Sequence, residues 1–193
     1  ILEKQSLSLG NVVNIRNELS NIYKQKGLIL EKFDYRFTDK SLNNFFYLKL
    51  IKDIFPNAKI INCRRDILSS IMSIFQNNIT ELAWAHNLDN IFKYFNNYFE
   101  IVENYKKIHP NFIYDLQFES LVNNPEEESK KLMRFCELPW DKKCLEYYKR
   151  EDLISKTASN IQIRKAIYKH SLEKYLPYKK FLNKYAENYS WFK

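Results

Sequence analysis

Arg65, Ser69 and Ser73 follow one another at four-residue steps in the stretch Arg64-Arg65-Asp66-Ile67-Leu68-Ser69-Ser70-Ile71-Met72-Ser73. On a helix that spacing is roughly one face, so a guanidinium and hydroxyls converge on one anion. Arginine offers a rigid fork of donors that suits a phosphate better than the point charge of lysine. A second charged group, Asp39-Lys40, closes the alternating run Phe33, Tyr35, Phe37. A lysine at such a strand end can stabilise charge that develops on a leaving group. A third set, Ser159, Arg164, Lys165 and Lys174, lies in the polar segment from Thr157 to Lys174. Loops of that kind carry binding residues. Each set also has a plainer reading: a salt-bridged arginine beside solvated serines, a surface lysine, a polar surface loop. The chemistry common to all three is the holding of an anion and the stabilisation of negative charge. His86, His109 and His170 have no partner at a useful spacing, and Cys63, Cys136 and Cys144 have no metal-ligand spacing.

The elements around these residues follow from periodicity. Ala58 to Cys63 reads as a short buried strand with two adjacent isoleucines. Asp66 is placed as the N-cap of a helix with apolar rows Ile67, Ile71, Ile74 and Leu68, Met72, Phe75. Strand, charged turn, helix is where open α/β sheets bind anions, with the helix start supplying N–H groups. Upstream, Asn11 to Lys26 is an amphipathic helix closed by Gly27, Phe33–Phe37 is a strand, and Leu42 to Phe55 is a helix stopped by Pro56. Residues 77–87 read as a loop. Leu88 to Tyr105 is the clearest helix, its aromatic stripe a core face. Asn111 to Leu116 is a further strand, and Asn124-Pro125 opens a helix that runs to about Cys136. A short helix follows over 142–149, then a loop over 156–169. Ser171 caps a short helix near Leu172–Tyr175, and Pro177 starts a last helix that ends near Tyr185. The aromatic tail Tyr189–Lys193 packs back. Strands alternating with helices predict an α/β fold with a parallel sheet.

Composition bounds the class. At 45% hydrophobic and 28% charged, residues 1–193 read as one globular domain, without repeat, linker or low-complexity tract. No apolar run is long enough to span a membrane, and no secretory pattern opens the chain. The formal charge of +8 favours anionic partners. Lysine accompanies a general richness in Asn, Ile and Tyr, so the Arg64-Arg65 pair is more informative than the total. Three cysteines, an odd number, read as reduced core thiols of a cytoplasmic protein. The start at Ile1 carries the expectation of a processed product or a fragment.

Several stretches together resemble one family. Thr38-Asp39-Lys40-Ser41-Leu42-Asn43, Phe55-Pro56-Asn57-Ala58-Lys59-Ile60, Arg64-Arg65-Asp66 and Ser73 look like the central region of sulfotransferases. Phe118-Glu119-Ser120-Leu121-Val122 with Asn124-Pro125 resembles that family's Tyr-Glu-x-Leu-Val-x-x-Pro stretch. Leu138-Pro139-Trp140-Asp141 and Thr157-Ala158-Ser159 are also similar. The likeness is nearest to bacterial sulfotransferases fused to tetratricopeptide repeats, and more distant to tyrosylprotein sulfotransferases. It implies a sheet like that of P-loop nucleoside kinases and 3′-phosphoadenylyl sulfate as cosubstrate, without a metal. It implies transfer of a sulfuryl group to a hydroxyl or amine of a carbohydrate, peptide or small molecule. Arg65 and Ser73 match residues that hold the donor's 3′-phosphate, and Lys40 one near the transferring group. Ser159, Arg164 and Lys174 fall in the segment that closes over the nucleotide.

The family's Pro-x-x-Gly-Thr-type phosphosulfate loop is absent, since Gly10 and Gly27 are the only glycines. A catalytic glutamate has no match, Glu3 included. Phe118 stands where the family often has tyrosine. The expectation is therefore a partial domain that lacks its first strand, loop and helix. The alternative is a non-catalytic module that binds anions or nucleic acid; it requires exposed aromatics along a basic surface. A kinase relative would need a Gly-x-x-x-x-Gly-Lys loop, which this sequence lacks. The resemblance implies no nucleic-acid or membrane partner.

Overall fold

A computed structural model describes residues 8–27, 36–77, 79–150, 164–166 and 175–192. The chain forms two compact units, Ile1–Ala58 and Lys59–Lys193.

In the first unit, helix α1 spans Leu9–Gln25, starting two residues before the expected Asn11. Ser8 caps it, its Oγ accepting from the Asn11 amide at 3.3 Å. The chain leaves through Gly27 at φ +65, a conformation that favours glycine. Helix α2 covers only Leu48–Ile54, preceded by a 3-10 turn over Asn44–Tyr47. A single helix from Leu42 to Phe55 is therefore corrected. The reason is local: Ser41 Oγ accepts from the Asn43 amide, and the Asn44 side chain donates to Asp39 at 3.0 Å. Such short polar side chains compete with a helical backbone. Leu42, expected on the apolar face, is 62% exposed. Arg16 Nε donates to the Ile54 carbonyl at 2.8 Å, so α1 satisfies the end of α2. Of the predicted Phe33–Phe37 strand, residues 33–35 lie outside the described residues, and Arg36 and Phe37 have no regular structure.

In the second unit, strand β1 spans Ile60–Arg64 and strand β2 spans Ile113–Gln117. They pair in parallel, Ile60 against Ile113 through Arg64 against Gln117. Between them run α3 (Ile67–Asn77) and α4 (Leu88–Ile108). After β2 come α5 (Phe118–Asn123) and α6 (Pro125–Phe135), with Pro125 at the first helical position. A 3-10 stretch, Lys142–Lys149, begins at Asp141, whose carboxylate accepts from the Lys143 amide. Helix α7 spans Lys179–Ala186. Residues 77–87 are not wholly a loop: Ala83–His86 form a 3-10 turn, with Trp84 stacked on Tyr94 at 4.0 Å.

The core of this unit joins Leu68, Ile71 and Met72 of α3, Leu88, Ile91 and Phe92 of α4, and Leu182 and Ala186 of α7. The tail packs back as its aromatics predict, Trp191 lying 5.9 Å from Phe92 and 5.2 Å from Phe99 between ring centroids. Helix α6 ends in a two-bond left-handed cap: Glu137 at φ 55 donates to Arg134, and Leu138 to Met133. The Glu137 side chain then pairs with Lys59 at 2.6 Å, tying this cap to the start of β1.

The strand β1 is not buried on both faces. Ile61 is 39% exposed and Cys63 is exposed, whereas Ile60, Asn62 and Arg64 turn inward. Helix α6 covers Tyr114 of β2 through Phe135, at 5.1 Å, rather than Ile61. The reading of three core thiols fails, for Cys63 because it stands on that exposed face and for Cys144 because it lies on the exposed side of the 3-10 stretch. Cys136 is buried, while Cys63 and Cys144 are exposed.

Candidate functional site

Because β1 and β2 are parallel, their carboxyl ends lie at one edge. Arg64-Arg65-Asp66 leaves β1 there, and Phe118-Glu119 leaves β2 beside it. The adjacent arginines take different surroundings, as alternation along a strand requires. Arg64 points to the face under α4. Its guanidinium lies 3.5 Å from Glu103 and 3.6 Å from Asp115, and 5.4 Å from the Phe99 ring. Arg65 stands past the last strand pair, at the turn, with its guanidinium 5.5 Å from the Phe118 ring centroid.

The turn itself is tightly bonded. Asp66 caps α3 as its position predicts: its carboxylate accepts from the Ser69 amide at 2.7 Å. Its carbonyl accepts from the Ser70 amide and hydroxyl, both at 3.0 Å. Its own amide donates to Glu119 Oε1 at 2.8 Å. Two carboxylates thus already stand at the start of α3. The expectation of an open helix start receiving an anion is revised accordingly, and the cation beside this turn is Arg65.

Ser69 and Ser73 do not share one role. Ser69 is fully enclosed, at 0% exposure, beside the core residues Leu68 and Met72. It cannot meet a ligand. Ser73 is half-buried, and its hydroxyl oxygen accepts from Asn77 Nδ2 at 3.2 Å. Eight residues separate it from Arg65, roughly 12 Å of helix rise, so one phosphate meets both only with the arginine extended along α3.

Beneath the strands a polar cluster sets β1 against β2. Asn62 donates to Asp115 at 2.7 Å, and Tyr98 donates to Asn62 at 2.6 Å. Lys106 pairs with Asp115 at 2.5 Å and with Glu103 at 3.4 Å. Burial alone would raise the Asp115 carboxyl, but hydrogen bonds from Lys106 and Asn62 and the charges of Lys106 and Arg64 outweigh it. The result lies below the usual carboxylate range. Burial likewise pulls Lys106 down, and Asp115 and Glu103 more than reverse it. This cluster balances two positive charges with two negative ones, so it serves architecture rather than anion binding.

In the first unit, Lys40 is exposed. The residue before it is fixed: Asp39 accepts from Tyr23 at 2.9 Å and from Asn44 at 3.0 Å. A cleft of about 370 Å³ adjoins this loop, lined by Tyr23, Arg36, Phe37, Thr38 and Asp39. Arg164 is exposed; the Lys165 carbonyl beside it accepts from Tyr147 at 2.9 Å. Ser159, Lys174 and His170 lie outside the described residues, as does Glu3. Trp140 of the Leu138–Asp141 motif is structural, its Nε1 donating to Ser129 at 2.9 Å under Lys130. Glu119 is the residue that sequence reading quoted without assigning a task. Its signal is available once β1 and β2 are taken as parallel neighbours, since residues 66 and 119 then leave the sheet together. Among the described residues no group of His, Cys, Asp and Glu could hold a metal ion, and no helix is long and apolar enough to cross a membrane.

Residues 11–142 match the model of the sulfotransferase family. An uncharacterized protein of Aquifex aeolicus (strain VF5) is 40% identical over 156 residues, 79% of this chain and 20% of that protein. The chain thus spans about a fifth of the length of the curated relative it matches. With a family model matching well over half its length, the chain belongs to the sulfotransferase family.

Proposed function

We propose that this chain is the core of an enzyme that moves a sulfuryl group from 3′-phosphoadenylyl sulfate to a hydroxyl or amine acceptor. The family match over 11–142 supports the class. The observation that carries the reading within the chain is Arg65, poised where β1 passes into α3 at the carboxyl edge of a parallel strand pair. With the arginine extended along α3, the residues suit one terminal phosphate: a guanidinium and the half-buried Ser73 hydroxyl, with the nearby carboxylates of Asp66 and Glu119 bonded to backbone amides. Arg65 and Ser73 hold the 3′-phosphate. Lys40 offsets charge on the leaving side of the transfer. Ser159, Arg164 and Lys174 belong to the segment that covers the nucleotide. The donor, when bound, supplies the activated sulfuryl group; positioning and electrostatic stabilisation are the chain's share. The sheet is read as the P-loop-kinase-like sheet of this family, with its phosphosulfate loop supplied by a further segment.

Calorimetric titration of the full-length protein with 3′,5′-adenosine bisphosphate tests this. Arg65→Ala is expected to weaken binding by about 1.5–3 kcal/mol, the range for hydrogen bonds to charged groups. Unchanged affinity would remove Arg65, and the donor site with it.

A further inference from the structure

We infer that Glu119, with Phe118, is the positioning device for Arg65. The inference rests on the donor-site reading above. The strand register brings Arg64 level with Gln117, so the next residues of both strands, Arg65 and Phe118, emerge as neighbours. Phe118 presents its ring to the Arg65 guanidinium at 5.5 Å, a cation–ring contact that restrains the head group. One residue on, Glu119 accepts the Asp66 amide proton at 2.8 Å across a separation of 53 residues.

That bond closes the turn around Arg65. The amide of Asp66 is then engaged by Glu119, one carboxylate oxygen by Ser69 and the carbonyl by Ser70. The backbone on the far side of Arg65 is held by the strand ladder at Arg64. Arg65 is thus the one residue between two fixed points, with an aromatic face under its head group. A free arginine side chain loses up to about 2 kcal/mol of rotamer entropy when a ligand orders it. A side chain already ordered loses less, and the difference appears as affinity. A carboxylate suits the role because its bond to a backbone amide is charge-assisted.

The test is a set of titrations with 3′,5′-adenosine bisphosphate on the full-length protein, each variant paired with a denaturation curve. Glu119→Ala is expected to raise Kd about tenfold, the loss of one charge-assisted hydrogen bond. Glu119→Gln keeps an acceptor oxygen and is expected to recover most of that loss. Phe118→Leu weakens binding about threefold to tenfold, the worth of a guanidinium–ring contact, whereas Phe118→Tyr keeps the ring and does not weaken it. The decisive variant is Arg65→Ala combined with Glu119→Ala. If Glu119 acts through Arg65, its removal costs no further affinity once Arg65 is gone. Additive losses would mean that Glu119 only supports the fold, and would overturn the inference. So would wild-type affinity in Glu119→Ala. Should Glu119→Ala fail to fold, Phe118→Leu and its combination with Arg65→Ala decide by the same rule. If Arg65→Ala weakens binding and neither neighbour does, the positioning role alone falls. If Arg65→Ala binds as wild type, the donor-site reading falls and the inference with it.

Discussion

Arg64 and Arg65 are adjacent and chemically identical, and they separate cleanly by what surrounds them. Arg64 lies among Glu103, Asp115 and the Phe99 ring, so its guanidinium is committed to holding α4 on the strands. Arg64→Ala should lower stability by about 1–2 kcal/mol, the combined worth of such contacts, and leave affinity for 3′,5′-adenosine bisphosphate within about twofold. A denaturant titration and a calorimetric titration of the same variant check both halves. A large loss of affinity with normal stability would exchange the roles assigned to the two arginines. Ser73→Ala should cost about 1 kcal/mol of nucleotide affinity, less than Arg65→Ala, because its bond is that of a neutral hydroxyl. Lys40 calls for a kinetic measurement instead. If it offsets charge that appears only during transfer, Lys40→Ala lowers kcat with little change in the donor KM. A raised KM with normal kcat would make it a plain binding residue. The sequence singles out these residues as candidates because their types and order are specific. It could not show that Ser69 is enclosed, because spacing reports a shared helix face and not which part of that face meets solvent.

At the scale of elements, legibility followed locality. Helix α4 was readable from its start at Leu88 because its aromatic period spans many turns, though it runs three residues past Tyr105 to Ile108, and α6 was readable because Asn124-Pro125 marks its start within the sequence itself. The cap of α3 was readable too, and it gives a prediction. Asp66→Ala should destabilise the protein by about 1 kcal/mol, within the usual range for lost N-caps, measured as a shift in denaturant midpoint. An unchanged midpoint would mean that the Ser69 amide finds another acceptor. What stayed hidden depends on distant partners. Nothing near Ile61 or Cys63 says that β1 has an exposed face, and nothing near Asn62 says that it will meet Asp115. The Asp115 cluster also gives the fold a pH dependence. The folded carboxyl titrates below its unfolded value, which is about 3.9 for aspartate. Its contribution is therefore present above that value and disappears as pH falls through the folded pKa. Lys106 is raised, so its contribution is present below its unfolded pKa, about 10.4, and disappears as pH rises through the folded one. Stability measured against pH should hold between these limits and fall below about pH 4, with a shallower acid limb in Asp115→Asn. An identical acid limb in that variant would show that other carboxylates govern the loss.

The whole molecule carries a formal charge of +8, which by itself would equally suit nucleic acid. The placement of the rings argues against that partner. Binding of single strands needs aromatic faces open to successive bases. Here Phe92, Phe99 and Tyr105 are buried. Three of the exposed rings also spend a side on neighbours, Phe46 against Phe45 at 4.0 Å, Phe37 against Tyr23 at 5.3 Å and Phe181 against Tyr185 at 5.4 Å, while Tyr47, Phe75 and Tyr178 are exposed singly along the chain. Charge without stacking gives attraction that salt removes. A fluorescent single-stranded oligonucleotide should therefore bind weakly at about 50 mM salt and lose nearly all affinity by about 200 mM. If 3′,5′-adenosine bisphosphate is held by specific bonds at Arg65, as proposed, its binding should fall by only a few-fold across the same range. Anisotropy for the oligonucleotide and calorimetry for the nucleotide make the comparison on one preparation. Tight oligonucleotide binding that survives at the higher salt and is lost in Phe181→Ala would mark an open stacking surface. The chain would then be a nucleic-acid binder built on this family's fold, and Arg65 would serve a different anion.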